Sequence, residues 1–195
     1  MAPEHKILVF LLVVAVSFFL GLGIARQIQE RRFSDELAAH GILRLISFEE
    51  AVTLAGGETE FVRMKSTVPV ERSLINVTDG TSCLQVNFPP EGGRLFAHRT
   101  FEADWSGYKR FAFDVMNAEF REVEMELVFK DGDQKEFHSK LRIPSGTSHQ
   151  VIEVPLIGTE INVSDVADIE IVLPPIARGS RRLYIDFLRL EKDVD

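Results

Sequence analysis

From Glu122 to Phe129 the chain alternates almost without a break. Val123, Met125, Leu127 and Phe129 are apolar, Glu122, Glu124 and Glu126 stand between them, and Val128 is the one exception. A two-residue period marks a strand with one face buried, because a helix would spread both sets around its circumference. The same period recurs where Phe111, Phe113 and Val115 alternate with Ala112, Asp114 and Met116, and where Ile169, Ile171 and Leu173 enclose Glu170 and Val172. Similar runs fall near 45–49, 61–65, 73–77, 84–88, 135–143, 150–154 and 183–190. Turn residues separate them: Ala55-Gly56-Gly57, Thr78-Asp79-Gly80, Pro89-Pro90-Glu91-Gly92-Gly93, Asp131-Gly132-Asp133 and Pro144-Ser145-Gly146. About ten short strands at roughly 12-residue spacing predict an all-β antiparallel sandwich or barrel. The 15 phenylalanines, mostly on these runs, are its predicted core. After Gly41 the only helix-like stretch is a single turn at Ser164-Asp165-Val166-Ala167.

The chain opens differently. Ile7 to Ala25 is a run of 19 residues without a charged side chain. At about 1.5 Å per residue it spans roughly 28 Å, close to the roughly 30 Å hydrocarbon core of a bilayer. Only Ser17 interrupts it, so it lacks the polar face of a soluble helix. It predicts a transmembrane signal-anchor helix behind a short tail (residues 1–6). Gly23-Ile24-Ala25 offers a cleavage site as the alternative, but a secretory apolar region is usually only about 7–15 residues long. Residues 26–43 read as a juxtamembrane helix and linker ending near Gly41, residues 44–191 as the sandwich, and 192–195 as a tail. Arg26, Arg31 and Arg32 follow the run and only Lys6 precedes it, a count that favours a cytoplasmic domain. Large domains translocate largely regardless of charge, and Glu30, Asp35 and Glu36 lie among the arginines. The domain is therefore expected outside the cytoplasm, with the opposite orientation as the alternative. Gly21 and Ala25 form a small-xxx-small pair, a spacing found where membrane helices associate.

The formal net charge of −8 argues against nucleic acid as a partner, since an acidic domain repels phosphate backbones. Cys83 is the only cysteine, which rules out an intrachain disulfide, and it reads as a small buried hydrophobe.

Trp105-Ser106-Gly107-Tyr108 followed by Phe111-Ala112-Phe113-Asp114-Val115-Met116-Asn117 resembles a stretch of the galactose-binding-like jelly rolls, a family that includes many non-catalytic carbohydrate-binding modules. Three further pieces agree in order: Ser47-Phe48-Glu49, Val77-Thr78-Asp79-Gly80-Thr81-Ser82-Cys83-Leu84, and the closing Leu183 to Leu190. The resemblance covers about residues 44–191 and implies a jelly-roll sandwich that recognises a glycan. It also points to the outside of the cell. It suggests Trp105 and Tyr108 as ligand-contacting rings, because a pyranose face packs on an aromatic one; the alternative is that they plug the end of the sandwich. It further implies a structural calcium held by Glu49 and Asp186, with Asp79 as a third oxygen donor. Asp114, out of phase with Phe113 and Val115, is expected to be structural and to bond loop amides.

No catalytic motif stands out. The five histidines lack metal-ligand spacing, and no G-x-S-x-G elbow is present. His98 and His138 lie in strand-like runs, and nothing in the sequence brings them together. The glutamates at 122, 124 and 126 read as a binding face or as a solvated one. Three function classes follow: a membrane-tethered, non-enzymatic module that binds a carbohydrate or cell-envelope polymer, a structural subunit making protein contacts, and an enzyme with a spatially assembled carboxylate site.

Overall fold

A computed structural model describes residues 31–49, 51–53, 59–61, 63–146, 148–176 and 178–192, together with Ser17. The chain divides into two compact units, residues 1–40 and 41–195. In the first, residues 31–39 are helical, and the His40 amide donates to Glu36 and Leu37 carbonyls at its end. The expected membrane segment at 7–25 lies outside the described residues apart from Ser17. Among the described residues no helix is long and apolar enough to cross a membrane.

The second unit consists of two antiparallel sheets packed face to face. One sheet runs β11 (Gln150–Pro155), β8 (Arg110–Asn117), β13 (Arg181–Glu191), β6 (Cys83–Phe88) and β5 (Val70–Ser73), with β1 (Ile42–Ile46) also pairing with β13. The other runs β10 (Glu136–Ile143), β9 (Val123–Asp131), β12 (Val166–Leu173), β7 (Gly93–His98) and β4 (Lys65–Ser66). A small ribbon pairs β2 (Ala51–Thr53) with β3 (Thr59–Phe61). The architecture is an antiparallel β-sandwich, one of the two forms that the alternation predicts, and it is consistent with the jelly roll that the resemblance implies.

The apolar phase of each strand forms the core. Phe111 of β8 meets Phe129 of β9 across the layers, their rings 5.0 Å apart, edge to face, and Phe113 lies 6.0 Å from Phe111 in the same core. A fully buried side chain of this size contributes about 1.5–3 kcal/mol. Two local expectations give way to hydrogen bonding. The run at 73–77 is strand only to Ser73, whose hydroxyl donates to the Ile75 carbonyl and accepts from its amide, bending the chain out of the sheet. The single turn at 164–167 survives only in part: Val166 and Ala167 already belong to β12, because the Val166 amide bonds the Ala103 carbonyl.

Candidate functional site

The longest strand, β13, changes partner halfway along. From Arg181 to Ile185 it pairs with β6; from Leu188 to Glu191 it pairs with β1, and between Asp186 and Arg189 its register against β8 shifts. The bulge holds Phe187 at φ 49°, a left-handed conformation that is strained for a bulky residue. Such a fork leaves backbone N–H groups without a ladder partner, and Asp186, fully buried, supplies the acceptor. Its Oδ2 accepts from the amides of Thr78 (2.8 Å) and Asp79 (2.9 Å), and its Oδ1 from the amide of Phe187 (2.9 Å). Glu49 takes the other end of the same loop through the amides of Thr81 (2.6 Å) and Ser82 (2.9 Å). Gly80, between them at φ 72°, admits no side chain, since a methyl group there would collide with the Glu49 carboxylate.

Glu49 and Asp186 thus converge on one loop although 137 positions separate them in the sequence, but their surroundings do not fit a calcium ion. Asp186 faces N–H donors and the Thr78 hydroxyl. Glu49 faces two amides, the Thr81 hydroxyl and Arg72 at 3.7 Å. Asp79 pairs with Arg44 at 3.2 Å. These donors present positive charge where a cation would have to sit, and among the described residues no three His, Cys, Asp or Glu form a group able to hold a metal.

The two acids titrate in opposite directions. Burial pushes Asp186 up to about 6, against its amide bonds, and the Asp79 carboxylate adds to the rise. Burial also raises Glu49, but the Thr81 hydroxyl, the two amides and Arg72 outweigh it, and the group ends below its ordinary value. Burial raises Asp79 despite Arg44. Asp114 corrects the expectation made for it. Instead of loop amides it accepts from Arg189 Nη1 at 2.8 Å, while Arg189 Nε bonds Glu191 at 2.7 Å and the guanidinium lies 4.4 Å from the Phe187 ring. The amide-binding role expected of Asp114 belongs to Asp186 and Glu49.

Trp105 is fully buried. Its ring stacks on Phe111 at 5.8 Å and meets Phe129 edge-on at 5.0 Å, and its Nε1 donates to the Glu102 carbonyl at 2.7 Å. A ring with no exposed face offers nothing to a sugar, so it is a plug of the sandwich end. Tyr108 is partly buried against the same core, with Lys192 Nζ 5.3 Å from its ring.

The open chemistry lies on the outer face of the five-stranded sheet. The register aligns Arg142 of β10 with Glu124 of β9, and Lys140 with Glu126 and then Val172 of β12. These residues, with Met125, Leu141 and Pro174, line a groove of about 470 Å³. Beside it, His138 bridges Glu126 (3.1 Å) and Glu136 (3.0 Å), Lys130 joins Glu136 (2.9 Å) to Glu170 (3.1 Å), and His98 pairs with Asp168 at 2.6 Å. The two histidines serve separate pairs and do not meet. The glutamates at 124 and 126 were legible in the sequence as a face; Lys140, Arg142, Val172 and Pro174 were not, because only cross-strand register brings them to it.

No family model and no curated protein matches the chain. Solved structures share its fold. An exo-β-agarase has a TM-score of 0.60 at 14% identity, covering 78% of this chain and 25% of that one. An agarase has a TM-score of 0.59 at 17% identity, covering 79% and 25%. The family 11 carbohydrate-binding module of Clostridium thermocellum, in complex with a β-1,3-1,4-mixed-linked tetrasaccharide, has a TM-score of 0.54 at 12% identity, covering 78% of this chain and 96% of that one. The chain therefore spans about a quarter of the agarases and nearly all of the module. At these identities the likeness establishes the β-sandwich fold.

Asp186 makes stability depend on pH. A carboxyl whose folded value is raised from 3.8 to about 6 stabilises the fold fully below 3.8, and that contribution is lost as pH rises through about 6. In melts of the full chain in detergent, Asp186→Asn, which mimics the neutral acid, should gain on the wild type between pH 4 and pH 7.5, by on the order of 3 kcal/mol at most. An equal difference between the two proteins at both pH values would contradict the assignment.

Proposed function

We propose that the sandwich is a non-catalytic glycan-recognition module, held outside the cytoplasm by a membrane segment at residues 7–25. The observation that carries the recognition reading is the overlap with nearly the whole of a family 11 module, a protein solved with a bound tetrasaccharide. The groove of the five-stranded sheet suits such a ligand. Val172 and Pro174 offer an apolar floor to the C–H face of a sugar ring, and Glu124, Glu126, Lys140 and Arg142 offer partners to its hydroxyls. A non-catalytic role is supported by the placement of the acids that titrate abnormally high: Asp79 and Asp186 are 2% and 0% exposed, out of a substrate's reach. The agarases share only about a quarter of their length with this chain, so their activity does not carry over. A protein-contact role is the second reading, favoured by the exposed Leu74 and Ile75, adjacent in one loop.

Calorimetric titration of the full chain in detergent with soluble β-1,3-1,4-glucan, agaro-oligosaccharides and cell-envelope polysaccharides tests recognition. One glycan class should saturate the protein, and Glu126→Gln or Lys140→Ala should weaken it by roughly tenfold, about 1.4 kcal/mol. Absence of heat with every glycan would contradict the reading and favour the protein-contact one. The tether is tested separately by washing membranes with alkaline carbonate and determining the N-terminus. The protein should stay in the pellet with residues 7–25 intact; a soluble product beginning at Arg26 would refute it.

A further inference from the structure

The edge of the five-stranded sheet beside the groove is strand β10, eight residues with no register shift against β9 and no proline. The Asp131 amide bonds the Lys135 carbonyl at 3.1 Å, which makes Asp131 and Lys135 a hydrogen-bonded pair. Antiparallel ladders alternate, so Phe137, Ser139 and Leu141 also turn their backbone groups toward β9. Glu136, His138, Lys140 and Arg142 turn theirs away from the sheet. That row of outward N–H and C=O groups is what an added strand would need. Natural edges are commonly guarded by a bulge, a proline or an inward charge; the residues of β10 on its inner side are Phe137, Ser139 and Leu141, all half-buried.

We propose that the strand which pairs here is the same β10 of a second copy, running antiparallel about a two-fold axis through Ser139. In that register the outward backbone groups of Glu136 meet those of Arg142, and those of His138 meet Lys140. The side-chain chemistry fits the same register. Glu136 stands opposite Arg142 twice, once on each side of the axis, and Phe137 stands opposite Leu141 twice on the inner face. Arg142 is free to make the exchange, since its own partners, Glu124 and Glu122, lie at 3.5 and 3.8 Å and its side chain is 73% exposed. The charge order along the strand, acid at one end and bases at the other, attracts a copy running antiparallel and opposes one running parallel. Pairing would merge the two five-stranded sheets into one face carrying two grooves, because Lys140 and Arg142 belong both to the groove and to the edge. A polymer spanning both grooves would be held more tightly than by either alone.

The mass of the full chain in detergent, followed by light scattering over a concentration series, tests this. The wild type should associate to twice the 22.0 kDa chain mass. Glu136→Arg and Arg142→Glu should each weaken association by roughly tenfold or more, by setting like charges opposite each other. The double variant should dimerise again, which also shows that neither change unfolds the chain. Ser139→Cys should form a covalent dimer on oxidation, since facing residues at a non-hydrogen-bonded position lie close enough to bridge and Cys83 is buried. A wild type that stays at chain mass would overturn the proposal. So would a dimer indifferent to both single reversals, a double variant that does not recover, or Ser139→Cys protein that never cross-links.

Discussion

A sheet whose central strand changes partner must deal with the amides left at the fork, and this constraint organises half of the molecule. β13 is shared by β8 on one side and by β6 and then β1 on the other. Where β6 ends and β1 begins, a single buried carboxylate gathers the amides of Thr78, Asp79 and Phe187. An unsatisfied buried amide costs about 1–3 kcal/mol; the Asp79 amide is buried and those of Thr78 and Phe187 are partly buried, so loss of their shared acceptor would remove a sizeable share of a domain's stability. Asp186 is buried where its two oxygens accept all three bonds, and that burial is what raises its titration. Glu49 closes the other end of the same loop, and the loop in turn brings Val77 over Cys83, Met116 and Tyr184.

The two sheets consequently present different surfaces. On the outer side of the six-stranded sheet, Asp114, Asp186, Arg189 and Glu191 are buried and bonded to one another or to the backbone. On the five-stranded sheet, the outer residues form open cross-strand pairs, with the bases Lys140 and Arg142 on one side of Glu124 and Glu126 and the apolar Val172 on the other. Exposed ion pairs of this kind contribute about 0–1 kcal/mol each to stability, so they can exchange partners with a ligand or a neighbouring chain at little cost to the fold. The closed face holds the architecture, and the open face carries the exposed cross-strand pairs.

Most of the fold was legible because period-two alternation is a local signal. It located β9 and its outward glutamates, and it marked β6, β10, β11 and β13 to within a few residues. It overlooked β7, whose outward set includes Phe96 between Arg94 and His98 and whose inward set is only Leu95 and Ala97, so the pattern is blurred. In β8 it gave the right phase but the wrong environment. Ala112, Asp114 and Met116 occupy the outer side as expected, yet all are buried, because residues far away in sequence cover them. The same limit governed the site. The nearness of Glu49 and Asp186 to one loop followed from the resemblance, whereas most of the donors that fill their lone pairs are backbone amides, which leave no mark in a sequence. The groove depended on register between β9, β10 and β12, a non-local property to which alternation is blind.

Amide hydrogen exchange resolved residue by residue is the most direct measurement of whether Asp186 holds the fork together. The amides of Thr78, Asp79 and Phe187 should exchange as slowly as those of neighbouring β13, and Asp186→Ala should release all three together while β9 and β12 remain protected. If the three amides exchange at loop rates in the wild type while β13 is protected, the carboxylate is not their acceptor and the account of the fork is wrong.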